Sequence, residues 1–343
     1  MKRLFSVLII FILLLAACNA NDDNDDVAEN EGAVEGATDL KIALILPEPI
    51  GQNPFFQQMQ DGAKQAAEDF GVAVTSVEST DYSVIEENLR VAVAEGYDLI
   101  ISAAFEAEDP LKNVATDNPE QAFAIIDTVV DLPNVSSVNF DEHEAAYLLG
   151  AAAGLLTESN VVGMVAAMDI PLLSKWTEGF ENGLKATNAD ATFLLNFVND
   201  FADPARAKEL AFMQESQGAD FIAGAAAVGD LGVFEAAEEK GFLTAGQDID
   251  YTVQYPEHVV LSQLKGTDAA AYETIKAFVE GTYDSGVISY GLADGGVGLT
   301  YVTHESETPL SDKVDEEVIK QVTEIKDSIV SGELVIPNPL QGE

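Results

Sequence analysis

The chain predicts an α/β protein built as two similar doubly wound parallel-sheet domains joined by a hinge. Three observations carry that expectation. Short apolar runs alternate with amphipathic helical stretches along most of the sequence, the pattern of βαβ units with right-handed crossovers. The series runs to Phe140, restarts at Glu144 and follows the same order again. The length left after the N-terminal segment suits two domains.

That N-terminal segment is not part of the fold. Residues 1–17 read as a signal peptide, with Lys2 and Arg3, an apolar run from Leu4 to Leu15, and small residues before Cys18. The run is too short to make a good membrane span. Leu15-Ala16-Ala17-Cys18 also looks like a bacterial lipobox, which makes Cys18 the lipidated first residue of the mature chain and its membrane anchor. Cys18 is the only cysteine, so the chain has no internal disulfide. Residues 18–38 are acidic, Gly/Ala-rich and without Lys or Arg after the anchor, the composition of a solvated tether.

From residue 39 the elements follow in order. Lys41 to Leu46 is a β-rich run ended by Pro47, and Phe55 to Phe70 is helical with Phe56, Met59, Ala63 and Ala66 on one face. Strands are expected at Val72–Val77, Asp98–Phe105, Ala122–Asp127 and Val135–Phe140. A helix covers Val84–Ala94, and Asp109-Pro110 reads as an N-cap followed by proline at the first helical position. The second series has helices near Glu144–Leu156, Leu173–Lys185, Pro204–Gln214 and Ala269–Val279. Its strands lie at Val161–Ala167, Thr192–Val198, from Phe221, from Leu243, at Val259–Lys265 and at Val297–Val302, and a charged helix near Asp315–Ser331 closes the chain. The lobes are expected to comprise 39–140 with 266–294, and 141–265 with 295–343, with crossings near Phe140, Lys265 and Asp294.

A formal net charge of −44 argues against nucleic acid, whose phosphates demand clustered Lys and Arg, and against anionic lipid surfaces. It fits a saline or alkaline exterior, where surface charge maintains solubility. An enzyme is not expected. His143, His258 and His304 lack metal-type spacing and read as surface or loop residues. No nucleophile elbow, phosphate-binding loop or dinucleotide fingerprint is present, so neither metal nor cofactor is expected.

Binding is better supported. Phe55, Phe105, Trp176 and Phe201 fall at or near strand ends and adjoining loops, where flat faces can hold a ring. Trp176, in Leu173-Ser-Lys-Trp-Thr-Glu, has a polar local setting that favours ligand contact over core packing. Asp248 and Asp250 follow the strand that begins at Leu243, where acceptor-only carboxylates suit ligand hydroxyls or amines; ordinary loop acids are the alternative.

Taken together, the chain resembles the bacterial Bmp family of substrate-binding lipoproteins, which includes purine-nucleoside receptors of ABC transporters. The likeness is densest in Asp98–Phe105, Phe123–Asp127, Gly163–Pro171, Trp176–Phe180, Gly232–Ala237 and Gly246–Asp250. It implies the class I periplasmic-binding-protein fold and a small-molecule ligand in the interdomain cleft. It also implies delivery to a permease driven by a separate ATPase, and a monomer. The family's Asp-x-Ser-Phe-Asn motif places its Phe on Phe55, its Asp on Gln52 and its Asn on Phe56. Asn53 stands in, as in sugar-binding relatives that read Asn-Pro-Phe-Phe here. The family's Gly-x-Gly turn is Asp230-Leu231-Gly232, and its Phe before Glu-x-Gly-Phe is Trp176. Asp203, Asp250 and Lys265 match the loop acid, the second acid of the Val-Asp-x-Asp turn and the lysine of Ser-x-x-Lys, and Asp127 closes its matched strand. The expected ligand is a nucleoside, with aromatics on the base and Asp250 with Lys265 near the ribose. A sugar or polyol, or a sensing rather than transporting role, is the alternative.

Overall fold

The computed structural model describes residues 39–341; the signal segment, Cys18 and the acidic tether lie outside the described residues. Two six-stranded sheets organise the chain. The first holds β1 (Lys41–Leu46), β2 (Ala73–Glu78), β3 (Leu99–Ala103), β4 (Ala122–Ile126), β5 (Val135–Phe140) and, from later in the chain, β11 (Gly286–Tyr290). Its order is β11-β5-β4-β3-β1-β2, parallel throughout. The second holds β6 (Val161–Ala166), β7 (Thr192–Phe197), β8 (Phe221–Ala225), β9 (Leu243–Asp248), β10 (Val259–Lys265) and β12 (Val297–Leu299). Its order is β12-β10-β9-β8-β6-β7, and only β12 runs antiparallel to its neighbour. The helices are α1 (Pro54–Phe70), α2 (Tyr82–Ala94), α3 (Glu108–Asp117), α4 (Glu142–Leu156), α5 (Pro171–Thr187), α6 (Pro204–Ser216), α7 (Asp230–Lys240), α8 (Thr267–Val279) and α9 (Glu316–Val330).

The central strands are continuous apolar or small-residue runs because both faces are covered. Every residue of β3 and of β8 is buried. Helix ends follow local chemistry. Asn53 caps α1 by accepting from the Phe55 N–H, Pro54 sits in its first turn, and Gly71 ends it at φ 66°.

Three expectations need correcting. The helix expected to start on Asp109-Pro110 begins earlier, at Glu108, after a 3-10 turn at Phe105–Ala107. Pro110 is tolerated there because first-turn N–H groups have no intrahelical acceptor. The last strand ends at Leu299 rather than Val302, because the chain turns to pair Thr300 with His304. Strand β11 was not anticipated. It is a largely exposed edge strand, so its residues alternate weakly and carry little burial signal.

Helices α4 and α5 touch at backbone level. A Cβ at Gly150 would stand 1.9 Å from the Phe180 carbonyl oxygen, and one at Gly183 would stand 1.9 Å from that of Tyr147. Glycine is required at both contacts. The close approach brings the start of α4, with Glu142, beside the Lys175 and Trp176 side of α5.

Candidate ligand-binding site

The carboxyl ends of strands from both sheets converge on one cavity, with an empty volume of about 600 Å³ including its mouth. Glu48 follows β1, Phe105 and Glu106 follow β3, and Asp127 follows β4. From the second sheet come Phe201 after β7, Ala227 after β8, Gln247 and Asp248 at the end of β9, and Lys265 at the end of β10. The first turn of α1 adds Phe55 and Phe56, and α5 adds Trp176. This is where open parallel sheets present ligand sites.

Backbone conformation sets the wall. Ala104, Asp127, Ala227 and Asp248 all have φ between 52° and 73°, and all four line the cavity. Non-glycine residues adopt this region at a cost that surrounding structure must offset, and such residues gather at binding sites. The strained turns aim the Asp127 and Asp248 carboxyls inward.

Lys265 is the electrostatic centre. Its ammonium lies 2.6 Å from Asp127 Oδ1 and 2.8 Å from Glu142 Oε1. It also stands 5.2 Å from the Phe55 and Phe140 rings and 5.8 Å from that of Trp176. Glu142 is shared, since its Oε2 is 2.5 Å from the Lys175 ammonium. Lys175 also donates to the Phe140 carbonyl at 2.9 Å. Burial opposes the charge on Glu142, but the Lys265 and Lys175 ammoniums outweigh it and hold the carboxyl at about 2. Asp127 goes the other way. Burial, with Glu142 nearby, pushes it up to about 7 despite Lys265. Burial works against the Lys265 charge, yet Asp127 and Glu142 keep it above the ordinary lysine range.

Of the residues singled out in the sequence, Asn53, Phe55, Phe105, Asp127, Trp176, Phe201 and Lys265 line this cavity. Asn53 is largely used locally, capping α1 and donating to Glu48 Oε1 at 3.0 Å. Trp176 has a buried setting rather than a polar one, at 4% exposure. Asp203 and Asp250 are not among the lining residues. Asp203 caps α6 by accepting from the Arg206 N–H, and Asp250 accepts from the Thr252 N–H and hydroxyl. Asp248, not Asp250, faces the cavity. His143, expected at the surface, is buried in α4. Glu106, Glu142, Lys175 and Gln247 were missed. Glu106 follows β3 in a 3-10 turn, Glu142 and Lys175 lie on different helices and Gln247 lies in β9, so only the sheet arrangement gathers them.

An α/β chain of two sheets with a cavity at converging strand ends is the architecture of solute-binding proteins. The chain belongs to the Bmp family: residues 39–339 match the PnrA-like substrate-binding proteins of ABC transporters. It is 24% identical to the ABC transporter nucleoside-binding protein BmpA of Lactococcus lactis, over 95% of both chains. It is 31% identical to a lipoprotein of Pyrococcus abyssi, covering 90% of this chain and 88% of that one. Among solved structures, an ABC transporter solute-binding protein of Aeropyrum pernix superposes with a TM-score of 0.77 at 29% identity, covering 87% of this chain and 94% of the other. The protein is thus an ABC-type substrate-binding receptor, with a small-molecule ligand and transporter partners implied. No helix among the described residues is long and apolar enough to cross a membrane.

Proposed function

We propose that the protein is an extracytoplasmic receptor, anchored through lipid on Cys18, that captures a nucleoside, purine in preference, and passes it to an ABC permease and its ATPase. The observation that carries this reading is the cavity's pairing of aromatic faces with a charged cluster. Phe55, Phe105, Trp176 and Phe201 offer flat surfaces to a base, while Asp127, Asp248 and Lys265 offer acceptors and a donor to ribose hydroxyls. The name of the Lactococcus lactis relative points the same way. The reading has the protein act as a monomer without catalysis.

Ligand capture is hinge closure of two lobes, residues 39–140 with 266–294 against 141–265 with 295–343, about three crossings. The described conformation fits the closed state. Phe105 and Phe201, one following each sheet, stand 6.3 Å apart, and Gln58 of α1 donates to the Asp248 carbonyl at 3.2 Å. Isothermal titration of the protein with guanosine, inosine, adenosine, ribose and galactose tests the proposal. Saturable binding of a purine nucleoside below millimolar concentration is the expected result. Binding of the sugars alone would replace the nucleoside with the polyol reading that Asn53-Pro54-Phe55-Phe56 invites.

A further inference from the structure

The cavity's polar wall is unbalanced. Lys265 already faces Asp127 and Glu142, and one Asn53 amide hydrogen is given to Glu48. The acceptors are open. Gln247 is 8% exposed and lines the cavity, and its Oε1 has no hydrogen-bond partner. Its amide is oriented with Nε2 toward Asp248 Oδ2, at 3.4 Å. Glu106 is half-buried in the same wall. Burial first, then the nearby Glu48, pushes its carboxyl up to about 7, and no cation opposes them among the described residues.

Such a wall recognises a ligand by what it donates. A buried acceptor left without a donor disfavours the analogue that lacks one, and hydrogen-bonding sites discriminate on that basis more sharply than apolar ones. Resting on the nucleoside reading, we propose that the cavity selects rings bearing an amino group over counterparts that carry oxygen at that position, and that Glu106 and Gln247 are the residues that set this preference.

The test is calorimetric titration at pH 8, above the value of about 7 to which Glu106 is raised, with three matched pairs: adenosine and inosine, cytidine and uridine, glucosamine and glucose. Wild type is expected to bind the amino member of a nucleoside pair about tenfold more tightly. Glu106→Gln and Gln247→Val, each confirmed as folded by its melting temperature, are each expected to reduce that ratio at least about threefold. Equal affinity, a preference for the oxo member, or a ratio unchanged in both variants overturns the inference while leaving nucleoside binding intact. If no nucleoside binds, the nucleoside reading fails, and the third pair then decides this one. Preference for glucosamine supports it, and equal or absent binding of both sugars overturns it.

Discussion

Removing the Glu142 carboxylate would leave the buried Lys265 ammonium with Asp127 as its remaining ion-pair partner and the buried Lys175 ammonium with none among the described residues. Breaking a buried ion cluster on one side costs about 3–5 kcal/mol, so Glu142→Gln is expected to lower unfolding stability by that amount in urea titrations. A loss below about 1 kcal/mol would mean that the cluster is solvated. Trp176→Ala removes an aromatic face beside Lys265 and is expected to weaken nucleoside binding at least about tenfold. Unchanged affinity by calorimetry would place the ligand elsewhere. At this scale the sequence was half legible. Phe55 stood out because a helix start carries a positional signal, whereas Lys265 was singled out through the family resemblance. Glu142 and Lys175 are 33 positions apart on different helices, and nothing local marks them as partners. Asp203 and Asp250 cap local turns and do not line the cavity, and in one dimension an acid that caps a turn looks like one that meets a ligand.

Helix α4 meets α5 through glycines, and that contact delivers Glu142 to Lys175. Gly150→Val drives a methyl-bearing carbon into the Phe180 carbonyl and is expected to cost about 3 kcal/mol, the upper end of overpacking penalties. Gly266→Ala is the control. Its added Cβ would meet nothing nearer than 3.6 Å, so a cost under about 1 kcal/mol is expected by the same denaturation assay. Equal losses in both would remove the packing argument. The elements themselves were mostly readable, since buried strands such as Leu99–Ala103 and Phe221–Ala225 have a hydrophobic signature. β11 was not, because an exposed edge strand is defined by its pairing with β5 rather than by its own residues.

Across the whole molecule, charge and fold act together. Glu142 is held at about 2, below its ordinary 4.5, so it contributes stability above about pH 4.5 that is lost as pH falls toward 2. Asp127 and Glu106 are held at about 7, so the folded chain keeps protons that the unfolded chain releases. Their effect lowers stability as pH rises from about 4 through 7. Self-repulsion from a net charge of −44 grows in the same direction. Melting temperature is therefore expected to peak on the acid side of neutrality, and a rise from pH 5 to 8 would contradict that balance. The α/β class was legible from alternation, whereas the cavity's chemistry needed the two sheets placed side by side. Trp176 is the only tryptophan in the chain, and it lines the cavity. Titrating its fluorescence with purine nucleosides therefore tests the central claim most directly. Nucleoside capture predicts a saturable change in emission whose midpoint matches the calorimetric affinity. Calorimetric binding with no change in Trp176 emission, or a response to sugars alone, would contradict it.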